Sequence, residues 1–246
     1  MTAGVWAQVV DDEPAQAARI VREAPGEFQF VRLAYSSNNY GRRGYGRRQM
    51  WMTDYPDAEY HFSRGVGRLT RVSVAEKPRV LVPMDEEIFD YPWIYAVEVG
   101  YWHLNDQEAS HMRDYLLRGG FLMVDDFHGT YEWAAFLASM ERIFPDRPII
   151  DIPENDPAFH VIYDLDQRIQ IPSRQFIFSG RTYENGGVTP HWRGIYDDEG
   201  RLMVAINHNM DIGDAWEHAD WPDYPENMTA LAYRFGINYL IYAMTH

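Results

Sequence analysis

The sequence predicts an α/β fold in which a mainly parallel sheet is wound with helices on both sides. Three observations carry that expectation. Strand-like apolar runs alternate with stretches whose apolar residues recur at helical spacing. One run, Phe121 to Val124 within YLLRGGFLMVDDFHG, has no polar interruption, as a strand buried on both faces of a helix-covered parallel sheet requires. Hydrophobic residues make up 46% of the 246, and aromatics 15%, which is ample for a core of that kind.

Residues 1–27 read as a peripheral amino-terminal segment and 28–246 as one domain, without an internal repeat or linker. Asp11 to Gly26 reads as a short polar helix stopped at Pro25-Gly26, and Val5-Trp6-Ala7 fits either the tail of a signal peptide or an ordinary amino terminus. Phe28 to Ala34 alternates and gives the first strand. Asp54 is placed as a helix cap with Pro56 in the first turn, because Ala58, Phe62, Val66 and Leu69 follow at helical spacing. Arg79 to Pro83 and Trp93 to Val99 are the next strands. Asn105-Asp106-Gln107-Glu108 is a capping box that opens a helix, and Gly119-Gly120 ends it. Phe121 to Val124 follows as the fourth strand, then a helix from Tyr131 to Phe144 with Pro145 as its stop. Beyond Pro145, Arg147 to Ile152, Phe159 to Tyr163 and Arg174 to Ser179 read as short strands, and Ile195 to Asn207 as a hairpin turning at Asp197 to Gly200. An acidic, aromatic stretch from Asn209 to Glu226 leads into a closing apolar helix, Asn227 to Met244.

Charge and composition exclude several function classes. The net charge of −15 repels nucleic acid and anionic membranes, so neutral or cationic partners are expected. Without cysteine there is no disulfide, thiolate zinc site or cysteine nucleophile. Lys77 is the only lysine, so no P-loop exists, and no apolar run approaches the roughly 20 residues that span a bilayer.

Ligands of open α/β sheets sit outside the carboxyl ends of the strands, which places Asp125, Asp126 and His128 where a site is expected. On a strand the two acids point to opposite faces, so one of them needs a turn directly after Val124. If the next helix starts near Gly129, its N–H groups give the acids a structural role; the alternative is that Asp126 and His128 bind a divalent metal. Such a metal needs a further ligand, from Asp85, His160 or the group His208, Asp211, Asp214, Glu217 and His218, with His208 the foremost candidate. Asp54, Asp85, Glu217, and Trp216 by ring stacking, are candidate ligand contacts. Arg42 and Arg43, with Arg47 and Arg48, form a glycine-rich basic loop suited either to an anion or to solvent.

From Trp51 onward the sequence resembles a bacterial family, domain of unknown function 4159. The resemblance rests on Thr53 to Ala58, Phe89-Asp90-Tyr91-Pro92, Tyr115 to Asp126, Phe144 to Arg147, Ala215-Trp216-Glu217 and Gly236 to Tyr239. It implies a flavodoxin-like, doubly wound sheet resembling class I glutamine amidotransferases, in a protein exported to the periplasm. It also implies that the turn at Asp125 and Asp126 stands where amidotransferases carry a cysteine. Two functions are therefore expected. One is a non-catalytic binding or assembly module of the envelope, for a small molecule, glycan or envelope protein. The other is a metal-assisted hydrolase of carbohydrate or peptide using Asp126, His128 and a ligand from residues 208–218.

Overall fold

The computed structural model describes residues 26–37 and 49–246; the helix expected from Asp11, the Val5 to Ala7 reading and the loop with Arg42, Arg43, Arg47 and Arg48 lie outside the described residues. In chain order the first half contains β1 (Val31–Leu33), β2 (Ser36–Ser37), α1 (Asp57–Leu69), β3 (Arg79–Leu81), β4 (Trp93–Val97), β5 (Trp102–His103), α2 (Asp106–Leu117) and β6 (Phe121–Asp125). The second half contains α3 (Gly129–Ile143), β7 (Ile150–Asp151), α4 (Gln175–Ser179), β8 (His191–Tyr196), β9 (Leu202–His208), α5 (Ile212–Glu217) and α6 (Glu226–Thr245).

Seven strands form one sheet in the order β3, β1, β4, β6, β9, β8, β7, while β2 and β5 pair separately. β3, β1, β4, β6 and β9 are parallel; β8 and β7 are antiparallel additions at one edge. Numbered along the chain, the parallel strands run second, first, third, fourth, fifth, which is the flavodoxin-like order. Period-two alternation then divides the core. Trp93, Tyr95, Val97, Phe121 and Met123 pack with α1, α5 and α6, whereas Ile94, Ala96, Leu122 and Val124 pack with α2 and α3. Among the described residues no helix is long and apolar enough to cross a membrane.

Local signals are realised where the chain needs no distant partner. Asn105 and Glu108 form the reciprocal capping box, with the Asn105 side chain accepting from the N–H groups of Gln107 and Glu108. Asp54 does not cap α1. Its side chain makes no bond to the helix, Pro56 occupies the cap position, and the Asp54 carbonyl accepts the Ala58 N–H at 3.0 Å. Phe159 to Tyr163 is a turn in place of the expected strand. Arg174 to Ser179 contains the short helix α4, and Phe178 there is 76% exposed. Neither segment joins the sheet, which ends on that side at β7.

α5 and α6 meet α1 at an aromatic contact in which the Phe62 and Trp216 rings lie 4.3 Å apart between centroids. Gly236 permits it: a Cβ there would stand 2.5 Å from Phe62 and 2.6 Å from Trp216. Gly236→Ala is expected to destabilise the protein by about 1–3 kcal/mol through overpacking, as a lower urea midpoint.

Candidate active site

Four neighbouring parallel strands each deliver an acid at their carboxyl end. Asp54 lies in the connection from β1 to α1, Glu98 directly follows β4, Asp126 directly follows β6, and Asp211 stands three residues beyond β9. All four line one cavity of about 230 Å³, joined by Asp214 and Glu217 from α5. One carboxylate oxygen from each of Asp54, Asp126 and Asp211 lies within 4.8 Å of the other two, and all three residues are buried.

The backbone is bent to achieve this. Asp54, Glu98 and Asp126 have φ of 61°, 54° and 51°, three of the five positive values found at non-glycine residues among those described. That conformation is costly away from glycine and persists where surrounding structure enforces it, as it does at many functional sites. β6 stays extended through Asp125, and the chain turns at Asp126. Strand alternation therefore sends the two acids to different places.

Asp125 points to the α5 face. Its Oδ2 accepts the N–H groups of Ile212 (2.6 Å) and Gly213 (2.9 Å) and the Tyr95 hydroxyl at 3.3 Å. Burial pushes this carboxyl up to about 7, against the pull of those two N–H groups. The structural role expected of these acids is thus filled by Asp125, but on α5, the helix after β9. The sequence places that role at the start of α3, near Gly129.

A second anchor holds Asp54. Arg32, in the middle of β1 and fully buried, forms an ion pair with buried Glu59 of α1. Its Nη1 donates to the carbonyls of Trp51 (3.1 Å) and Thr53 (2.8 Å), which fixes the peptide leading into Asp54.

The carboxyls of this cavity oppose one another's ionisation. Asp54 is pushed well above the usual carboxylate range by burial and then by Asp214; Asp126 by burial, Glu98 and Asp54; Asp211 by burial, Asp126 and Asp214. The Asp54 Oδ2 is shielded from solvent and has no hydrogen-bond partner. His128 is buried beside them, with Nε2 3.1 Å from Asp126 Oδ1, and burial pushes its imidazole down to about 4. A larger cavity of about 570 Å³ between α1 and α6, bounded by Tyr60, Arg64, Leu69 and Tyr233, has no comparable convergence of acids.

The family model described as domain of unknown function (DUF4159) matches residues 29–244. The chain belongs to the DUF4159 family. No curated protein matches it.

The candidate residues of this DUF4159 chain separate into three groups. Asp54, Asp126 and Glu217 line the cavity, and His128 stands directly behind Asp126. His208 does not join them: its Nε2 bonds the Gly129 carbonyl at 3.2 Å, and its ring packs on Phe127 and Trp133, lining a different cavity. The pairing of β9 with β8, which sets His208 opposite His191, turns it that way. Trp216 offers no ring to a ligand, since it is fully buried against Phe62, Phe30 and Tyr95. Asp85 bonds the Val82 N–H within its own turn, and His160 bonds Asp164 and the Glu154 carbonyl at the surface. Arg42 and Arg43 lie outside the described residues.

The sequence does not single out Arg32, Glu98 or Arg174, and it gives Glu59 only the ordinary role of an acid at the amino end of α1, where it in fact meets Arg32. Arg32 alone left a signal: a charge within the alternating run from Phe28 to Ala34. Glu59→Gln, which leaves the buried guanidinium uncompensated, is expected to cost about 3–5 kcal/mol in chemical denaturation, whereas replacing both Arg32 and Glu59 by apolar residues of similar volume costs far less.

Proposed function

We propose that the protein is a divalent-cation-dependent hydrolase, with the cation held by Asp54, Asp126 and Asp211 at the carboxyl edge of the parallel sheet. The observation that carries this reading is the convergence of three buried carboxylates from three separate strand-to-helix connections, within 4.8 Å of one another. Confining three carboxylates in a buried space is unfavourable unless protons or a cation neutralise them. The Asp54 Oδ2 is shielded from solvent and accepts no hydrogen bond, so its lone pairs can serve a cation. An all-oxygen set suits a hard ion such as magnesium, manganese or calcium.

A bound cation supplies a Lewis acid and an activated water. The chain's own residues do the rest. The hydrogen bond to Asp126 keeps the His128 proton on Nε2 and fixes the carboxylate's direction, as partners behind metal ligands commonly do. Burial keeps that imidazole neutral near pH 7. Arg32 and Asp125 lock the two segments that carry Asp54 and Asp211.

The acidic lining and the net charge of −15 favour a neutral or cationic substrate, a glycan or a peptide. The amidotransferase-like resemblance is compatible with this reading: it implies that the turn after β6 stands where those enzymes carry cysteine, and Asp126 has its left-handed backbone at that turn. The missing nucleophile supports the second reading, a non-catalytic envelope module. Turnover of glycan or peptide libraries by the cation-loaded protein separates the two.

Thermal unfolding of chelator-treated protein tests the cation site. Magnesium, manganese or calcium is expected to raise Tm of the wild type, and absence of any shift with all three refutes the reading. Because Asp126 is raised in the folded state, the cation-free protein loses stability as pH climbs above the ordinary carboxylate range. Asp126→Asn keeps a residue tolerant of the left-handed turn and removes that cost. It is expected to raise the cation-free Tm at pH 7 by about 2–4 °C, the shift made by ~1 kcal/mol in a protein of this size, and to abolish the response to cation.

A further inference from the structure

α5 and the residue that caps its carboxyl end, His218, carry a second group of donors beside the first. Asp214, Glu217 and His218 stand at i, i+3 and i+4, so their side chains share one helix face. One donor atom from each lies within 4.8 Å of the other two. The His218 Nε2 is 3.3 Å from Asp214 Oδ1 and 3.2 Å from Glu217 Oε2. These are ion pairs when the imidazole is protonated, and Nε2 is shielded from solvent with no well-directed hydrogen bond to either oxygen. The protonated imidazole therefore sits as the cation between two carboxylate oxygens, and a divalent cation that takes the place of that proton meets the same three donor atoms.

The two groups share one space. Asp214 and Glu217 line the cavity of Asp54, Asp126 and Asp211, and the Asp211 side chain accepts the Asp214 N–H at 2.8 Å. The shielded, unpartnered Asp54 Oδ2 belongs to a residue only 7% exposed on the wall of that cavity. Asp214 is also only 7% exposed, and its other oxygen is occupied by the Arg174 N–H at 2.6 Å, which leaves Oδ1 turned to His218.

We infer that Asp214, Glu217 and His218 hold a second divalent cation, so that the cavity is a two-cation centre with one all-oxygen site and one mixed nitrogen and oxygen site. This rests on the reading of the cavity as a cation site. Imidazole with two carboxylates suits zinc better than magnesium or calcium, so the two sites differ in preference. Paired cations at such a centre stabilise both the attacking and the leaving oxygen of a hydrolytic displacement.

Titration of the chelator-treated full chain with zinc and then with manganese by calorimetry, with both bound metals counted together after gel filtration, tests the inference. Wild type is expected to bind two equivalents. His218→Ala and, independently, the milder Glu217→Gln are expected to bind one, with at least a tenfold loss of affinity at the other site. Asp126→Asn is expected to lose the complementary equivalent and keep the His218 site. Far-UV circular dichroism and Tm show which variants are folded, and the inference is judged on those. One equivalent in wild type that Asp126→Asn removes and His218→Ala leaves untouched overturns the second site while sparing the first. One equivalent that only His218→Ala removes supports the mixed site but overturns the two-cation centre and the all-oxygen site. Two equivalents retained in both folded His218→Ala and folded Glu217→Gln also overturn the inference, and neither zinc nor manganese bound at all overturns both readings.

Discussion

The buried ion pair between Arg32 and Glu59 is the contact on which the rest of the site depends. A guanidinium with no exposure in the middle of β1 is tolerable only because a carboxylate from α1 meets it and carbonyls of the following connection accept its N–H groups. The same contact docks α1 on the sheet and fixes the peptide that presents Asp54. Fold stability and site geometry are therefore joined at one residue, and the two carbonyls that accept from Nη1 lie in the segment that aims the acid.

Asp125 plays the matching part on the far side of the cavity. It holds the first N–H groups of α5, the helix whose cap is Asp211 and whose face carries Asp214, Glu217 and His218. Both anchors lie on the α1 and α5 side of the sheet, where aromatic rings from Phe62, Tyr95 and Trp216 exclude water. Low local polarity strengthens these anchoring bonds and, for the same reason, makes the mutual repulsion of the neighbouring carboxylates costly. A cavity so arranged stores repulsion that a cation can relieve.

Much of the sheet could be read from the sequence, and the reasons are local. The parallel strands through Phe121 announced themselves by apolar runs, and α2 by its capping box, both of which act within a few residues. Strand geometry also foretold that Asp125 and Asp126 must part. Failures came where a distant contact decided. Asp54 carries a good cap signature, yet Arg32 takes its neighbouring carbonyls and the side chain turns to the cavity. Trp216 and His208 carry residue types found in binding sites, yet packing of α5 and the pairing of β8 with β9 bury one and divert the other. Nothing in a linear pattern records which βα connections will face one another.

What the sequence by itself determined is the layer architecture, the doubly wound order's raw material of alternating strands and helices, membership of the DUF4159 family, and the exclusion of thiolate chemistry by the lack of cysteine. Periodicity and composition are properties of neighbouring residues, so they survive without coordinates. Only the tertiary structure decided which acids share a cavity. Asp54, Asp126 and Asp211 are separated by long stretches of chain, and they converge because β1, β6 and β9 lie near one another in a sheet whose order differs from the order of the sequence. That convergence is set by strand pairing and by two buried anchors, Arg32 and Asp125, whose partners lie 27 and 87 residues away.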